Sequence, residues 1–263
     1  MNYGLYLSAS GALANMFRQD LYANNLANMN TIGFKPDIAV MRHRLPERLE
    51  SPGTFASSSV DPQLMLERLG GGVFGHPTRI SMAQGDLMET GRDLDVALQG
   101  EGFLVISPDG DPDEQNLRLT RDGRMTLDAE GRLALSTNGM IVLDVNNLPI
   151  TLDRSAKIHI NEVGEVTQNE RVIAKLRITQ PRDPSRLRKV GHSLLRLDDN
   201  SADALTPAGG RLLQGHLETS ATDPIMTLNA MISATKAMQS NATMMQYHDQ
   251  IIGLTVNTFG RIS

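Results

Sequence analysis

The sequence predicts a mainly β protein with long terminal α-helices, in which an antiparallel β domain is inserted between N- and C-terminal helices that pair as a coiled coil. Three observations predict it. Apolar residues recur at spacings of three and four near the N-terminus and at a spacing of seven near the C-terminus. Between these ends they alternate with a period of two, interrupted by Asp-Gly and Asn-Gly pairs. The expected divisions are an N-terminal helix in 1–35, a connector in 36–80, a β domain in 81–216, and a C-terminal helix in 217–263 that packs with 1–35.

The first element is expected over residues 5–29, where Ala9, Leu13, Met16, Ala23, Leu26 and Ala27 follow the helical period with no proline among them. Gly33 and Pro36 then end it, because proline lacks an N–H and biases its predecessor away from helix. The connector holds Pro36, Pro46, Pro52, Pro62 and Pro77, serines at 57–59 and a Gly70-Gly71-Gly72 run. In the domain that follows, Leu94, Val96 and Leu98 alternate, and Phe103 to Ile106 form a short apolar run. Asp122-Gly123, Asp128 to Gly131 and Asn138-Gly139 mark expected hairpin turns. Ile158 with Ile160 and Leu176 with Ile178 continue the alternation.

The last element opens at Thr222-Asp223-Pro224, a capping residue followed by a first-turn proline. Met231, Met238, Met245, Ile252 and Phe259 then fall seven apart, with Leu228, Thr235, Ala242, Asp249 and Val256 expected as the companion row. A repeat of seven held over this length is a coiled-coil pattern. Leu13, Met16, Leu26, Leu228, Met231, Met238, Met245, Ile252 and Phe259 are the candidate assembly residues, the last six of them on the second helix.

Charge distribution adds to this. Between Met1 and Phe34 the only charged side chains are Arg18 and Asp20, and from Leu217 to Ser263 they are Glu218, Asp223, Lys236, Asp249 and Arg261. A helix facing water normally carries a charged face. Helices this poor in charge read as surfaces covered by protein on more than one side. The net charge of -5 argues against a general nucleic-acid binder. No apolar run approaches the roughly 18 residues of a membrane span, so no membrane insertion is expected. The N-terminus shows no signal-peptide pattern, and with no cysteine there is neither thiol nucleophile nor disulfide.

Chemical motifs fail on their context. Gly70 to Gly75 matches G-x-G-x-x-G, but His76-Pro77 stands where a helix should open. Asp109, Asp111 and Asp113 imitate a calcium loop, yet Glu114 occupies the glycine position and Thr120 the final glutamate position. The six histidines are scattered, and the methionines of the last helix read as seam fillers. No catalytic residue, metal site or cofactor is expected.

Three stretches carry a family resemblance. Ala23-Asn24-Asn25-Leu26-Ala27-Asn28, continuing through Thr31-Ile32-Gly33-Phe34-Lys35, resembles the N-terminal signature of the flagellar rod and hook axial proteins. Gln84-Gly85-Asp86-Leu87, Leu94 to Phe103 and Thr120-Arg121-Asp122-Gly123 are similar to its central segment, and Gln214 to Ser220 is similar to the segment before its terminal helix. Asn24, Asn25, Leu26, Ala27, Asn28, Gly33, Phe34 and Lys35 are the motif residues singled out. Ala221 departs from the family's usual Asn. The opening residues resemble the proximal-rod subunit, whereas the connector is similar to that of the distal one.

The resemblance implies a structural subunit of the bacterial flagellar basal-body rod. It would be exported by the flagellar type III apparatus without a cleaved signal peptide. It would polymerise through its terminal helices, with itself and other rod and hook subunits, into a periplasm-spanning shaft that transmits torque. The competing readings are a secreted cell-wall hydrolase with helical oligomerisation arms and a filament-end cap or scaffold.

Overall fold

The computed structural model describes residues 3–44, 71–110, 116–198 and 205–259. They fall into two compact units. One gathers Met1–Leu26, Asp37–Arg79 and Pro224–Ser263, and the other Ala27–Pro36 with Ile80–Asp223.

The first unit is built on two helices, α1 (Tyr3–Ala27) and α2 (Pro224–Phe259). Proline at the first position of α2 costs no hydrogen bond, because the first N–H groups of a helix have no partner within it. At about 1.5 Å per residue, α2 is some 54 Å long. Four of its hydroxyls donate back one turn, from Ser233 to Asn229, Thr235 to Met231, Thr243 to Gln239 and Thr255 to Ile251. Side-chain polarity is thereby spent inside the helix rather than on its surroundings.

The helices run antiparallel. A Cβ added at Gly4 would come within 2.7 Å of the His248 ring, and one at Gly11 within 3.0 Å of the Asn241 amide. Seven residues separate the two contacts on each helix. The connector is not bare loop at its ends: Asp37–His43 pairs with Val73–Ile80 in a two-stranded ribbon. Arg44 N donates to Gly72 O and Gly71 N to Arg44 O at one end of the ribbon, both at 2.9 Å. The remaining prolines and serines of the connector, 45–70, lie outside the described residues, as do Asp111, Asp113 and Glu114 of the acidic loop.

The second unit is antiparallel β. Among the described residues its largest sheet has nine strands, seven of them in the order Leu187–Gly191, Leu194–Leu197, Arg118–Thr120, Phe103–Ser107, Ile141–Val142, Leu133–Leu135, Met125–Leu127. The apolar run becomes the central strand, and it is buried on both faces. Leu104 and Ile106 enter one hydrophobic cluster with Val96, Met125 and Leu133, while Phe103 and Val105 enter another with Leu119, Leu187 and Leu195. Complete burial of each such side chain contributes about 1.5–3 kcal/mol.

The hairpins at Asp128 to Gly131 and Asn138-Gly139 form as expected, joining Met125–Leu127 to Leu133–Leu135 and that strand to Ile141–Val142. Asp122-Gly123 does not form one, because the strands it connects do not pair with each other. Instead the chain crosses there. Gly123 O accepts from Val96 N at 3.0 Å, and a Cβ on Gly123 would sit 1.7 Å from Val96 O. Two further turns carry no glycine. His192-Ser193 and Asn169-Glu170 both hold positive φ values, so side chains occupy the left-handed positions of tight two-residue loops.

Candidate assembly site

On α1 the apolar stripe expected from the sequence faces away from the unit's interior. Leu13 is 67% and Met16 52% exposed, Ala23 and Ala27 are exposed, and Leu26 is half-buried. The buried face is Ser8, Ala14, Leu21 and Asn25. On α2, Met231, Met238, Met245 and Ile252 are half-buried, each seven from the next.

Of the companion row, Leu228, Asp249 and Val256 are exposed and Thr235 and Ala242 half-buried, while Ala234 is buried and Asn241 and His248 meet the glycines of α1. A polar side chain packed on a glycine does not register as a seam in an apolar count, which is why the pattern missed it. The side chain of Phe259 lies outside the described residues. A second set of apolar residues on α2 stays exposed, including Ile225 at 73%, Tyr247, Ile251 and Leu254 at 68%. Tyr247, Ile251 and Leu254 recur at helical spacing, so one helix carries two apolar stripes. Beside α1, Tyr6, Leu13, Phe17, Phe74 and Pro77 line a groove of about 970 Å³.

The motif residues divide between two jobs. In the first unit Asn25 is a backbone clamp. Its Nδ2 donates to Asp37 O at 2.8 Å and its Oδ1 accepts from Asp37 N at 3.0 Å, so one buried amide satisfies both polar groups of the residue that opens the ribbon. Asn24 is exposed. In the second unit Asn28 closes a local turn, its O accepting from Thr31 N at 3.1 Å and its Oδ1 from Thr31 Oγ1 at 3.2 Å.

Gly33, Phe34 and Lys35 are buried together. Gly33 has φ 66°, and a Cβ there would lie 2.5 Å from the Arg121 backbone, so only glycine fits. Its N donates to Glu218 O at 2.8 Å, and Phe34 O accepts from Ala221 N at 3.2 Å. The Lys189 ammonium lies 4.1 Å from the Phe34 ring centroid. Ser193, at positive φ, donates its hydroxyl to Ile32 O at 3.2 Å.

These residues lead to a buried ionic centre. Lys35 Nζ donates to Glu218 Oε1 at 2.6 Å and Arg121 Nη1 to Glu218 Oε2 at 3.0 Å, with side chains 2%, 5% and 1% exposed for Lys35, Arg121 and Glu218. Gly85 N also donates to Oε1, at 3.1 Å. The cations reach carbonyls as well: Lys35 to Ala83 O, Arg121 to Leu98 O and Gly100 O. The Arg121 guanidinium stands 5.2 Å from the Phe103 ring. Burial holds the Lys35 ammonium below its usual value, and the adjacent Glu218 only partly offsets this.

All three resembling stretches therefore meet at one carboxylate. Sequence reasoning singled out Lys35 but passed over Arg121, Gly85 and Glu218, although each stood inside a quoted stretch. The available signal was Glu218 as the one acidic residue between Asp203 and Asp223. Among the described residues no group of three or more His, Asp or Glu side chains could hold a metal ion, and no helix is long and apolar enough to cross a membrane.

Comparison with known proteins matches residues 5–35 to the family described as "Flagella basal body rod protein" and residues 97–168 to "Flagellar hook protein FlgE/F/G D1 domain". The chain is 31% identical over 265 residues to the flagellar basal-body rod protein FlgF of Caulobacter vibrioides, covering 100% of both chains. It is 28% identical over 274 residues to the rod protein FlgG of Borreliella burgdorferi, covering 98% of each. To FlgG of Caulobacter vibrioides it is 26% identical over 268 residues, covering 95% of this chain and 97% of the relative.

Proposed function

The chain belongs to the flagellar basal-body rod protein family, and on that premise we propose that it is a structural subunit of the bacterial flagellar rod, polymerising through α1 and α2. The observation that carries the proposal is the second apolar stripe. Tyr247, Ile251 and Leu254 on α2, like Leu13 and Met16 on α1, remain exposed after each helix has buried a face within its own unit. Apolar residues exposed in rows along a helix mark sites of protein association. Head-to-tail contacts that do not close produce a helical filament, in which every subunit buries the same two surfaces.

In this reading α1 and α2 form a coiled coil within each subunit, and the exposed stripes dock on neighbouring copies or on other rod and hook subunits. The β unit, taken as 81–216, is carried as an insertion. The work is mechanical, torque passing through packed interfaces without a chemical step. The subunit reaches the periplasmic rod through the flagellar export apparatus. Substituting Leu13→Glu and Leu254→Glu together tests this. The expected result is soluble subunit with no incorporation into purified basal bodies. Basal bodies carrying normal amounts of the doubly substituted chain would refute it.

A further inference from the structure

The ionic centre of the second unit is unbalanced. Two cations face one carboxylate, and each cation turns to backbone carbonyls for its remaining contacts. Two buried positive charges against one negative charge leave an excess, and desolvation of such groups can exceed the attraction gained. Arg121 already neutralises Glu218 and binds it through a guanidinium that does not deprotonate. Lys35 is the surplus member.

We propose that Lys35 is a positioning residue whose role is to fix the register of residues 27–36 against the strand His216–Glu218, not to stabilise the unit. A slip of two residues would set Asp37 or Gly33 opposite Glu218 in its place. The first alternative places two carboxylates together and the second leaves the site without a side chain, so the ammonium rejects both. Correct register also sets the backbone pairs Gly33 N to Glu218 O and Ala221 N to Phe34 O. These stretches are the roots from which the chain runs back into α1 and forward into α2. Burial holding Lys35 below its usual pKa agrees with this division of labour, since the charged form is then disfavoured by folding. The consequence for assembly rests on the rod reading above; the register itself does not.

The test compares full-length Lys35→Met and Glu218→Gln with the parent, using far-UV circular dichroism melts and amide hydrogen exchange. Lys35→Met keeps the side-chain length and removes the surplus charge. It is expected to melt no lower than about 2 °C below the parent. The amides of Gly33 and Ala221 are expected to exchange about tenfold faster or more, as the register loosens locally. Unchanged exchange at both amides overturns the proposal, and so does a melting loss as large as that of Glu218→Gln. A separate measurement distinguishes the rod reading: absence of the parent chain from purified basal bodies would sink that reading and leave the register result standing.

Discussion

Glu218→Gln removes the counter-ion from two buried cations while preserving the shape of the side chain. Glutamine keeps one acceptor oxygen, but it must turn an NH₂ group toward either Lys35 or Arg121, both of which only donate. With exposures of 2% and 5%, water cannot take over the lost role. Breaking a buried ion pair from one side costs about 3–5 kcal/mol. For a unit of this size each kcal/mol lowers the melting temperature by about 2–4 °C, so the loss should lie between about 6 and 20 °C. An exposed pair provides the contrast: Glu162→Gln breaks the contact with Arg211, whose side chain is 73% exposed, and should cost under about 1 kcal/mol. The choice of assay follows from composition. There is no tryptophan, and the four tyrosines, Tyr3, Tyr6, Tyr22 and Tyr247, all lie on α1 or α2. Tyrosine fluorescence thus reports the helical unit, and calorimetry or the β signal in circular dichroism must report the other. A melting temperature within about 2 °C of the parent would refute the view that Glu218 is the counter-ion on which both cations depend.

Other outcomes are expected. Gly33→Ala forces a Cβ against the Arg121 backbone at positive φ and should cost about 1–3 kcal/mol, read by the same melt; an unchanged melt would contradict the close approach. Met238→Glu places a carboxylate in the half-buried row of α2 and should block rod assembly, with normal swimming removing that row from the mechanism. Leu13→Glu, at an exposed site, should leave the melt unchanged yet weaken assembly, and a lowered melt would show that Leu13 packs within the subunit. Because the folded state holds Lys35 below its free value of 10.5, the unfolded chain binds more protons between the two values. Stability should therefore rise with pH from the folded-state value toward 10.5, and Lys35→Met should flatten that rise.

The helices and the β character of the middle were legible because periodicity is a property of many residues at once. Individual partners were not. The Asn241 and His248 contacts escaped because the facing residues are Gly4 and Gly11, which carry no apolar signal. The ribbon of Asp37–His43 with Val73–Ile80 escaped because the prolines, serines and Gly70-Gly71-Gly72 between its strands read as a connector. Asp122-Gly123 reads as a hairpin turn locally, but the long-range bond between Val96 and Gly123 decides its path. Glu218 lay in view inside a resembling stretch. Only the fold shows that Lys35 and Arg121, far from it in sequence, converge on its two oxygens.

The antiparallel pairing of α1 with α2 also fixes an order of events. Gly4 meets His248, so the closest partners are nearly a whole chain apart. Bringing such distant residues together carries a large loop-closure entropy and makes for slow formation. Once the second unit has folded, its pairing of Gly33 with Glu218 has already closed most of that loop. The helix pair thus closes at a smaller entropic cost after the second unit has folded than before it. A chain still being synthesised holds α1 complete while part of α2 is missing. Its glycine and methionine seams stay without their intramolecular partner until the final residues are free.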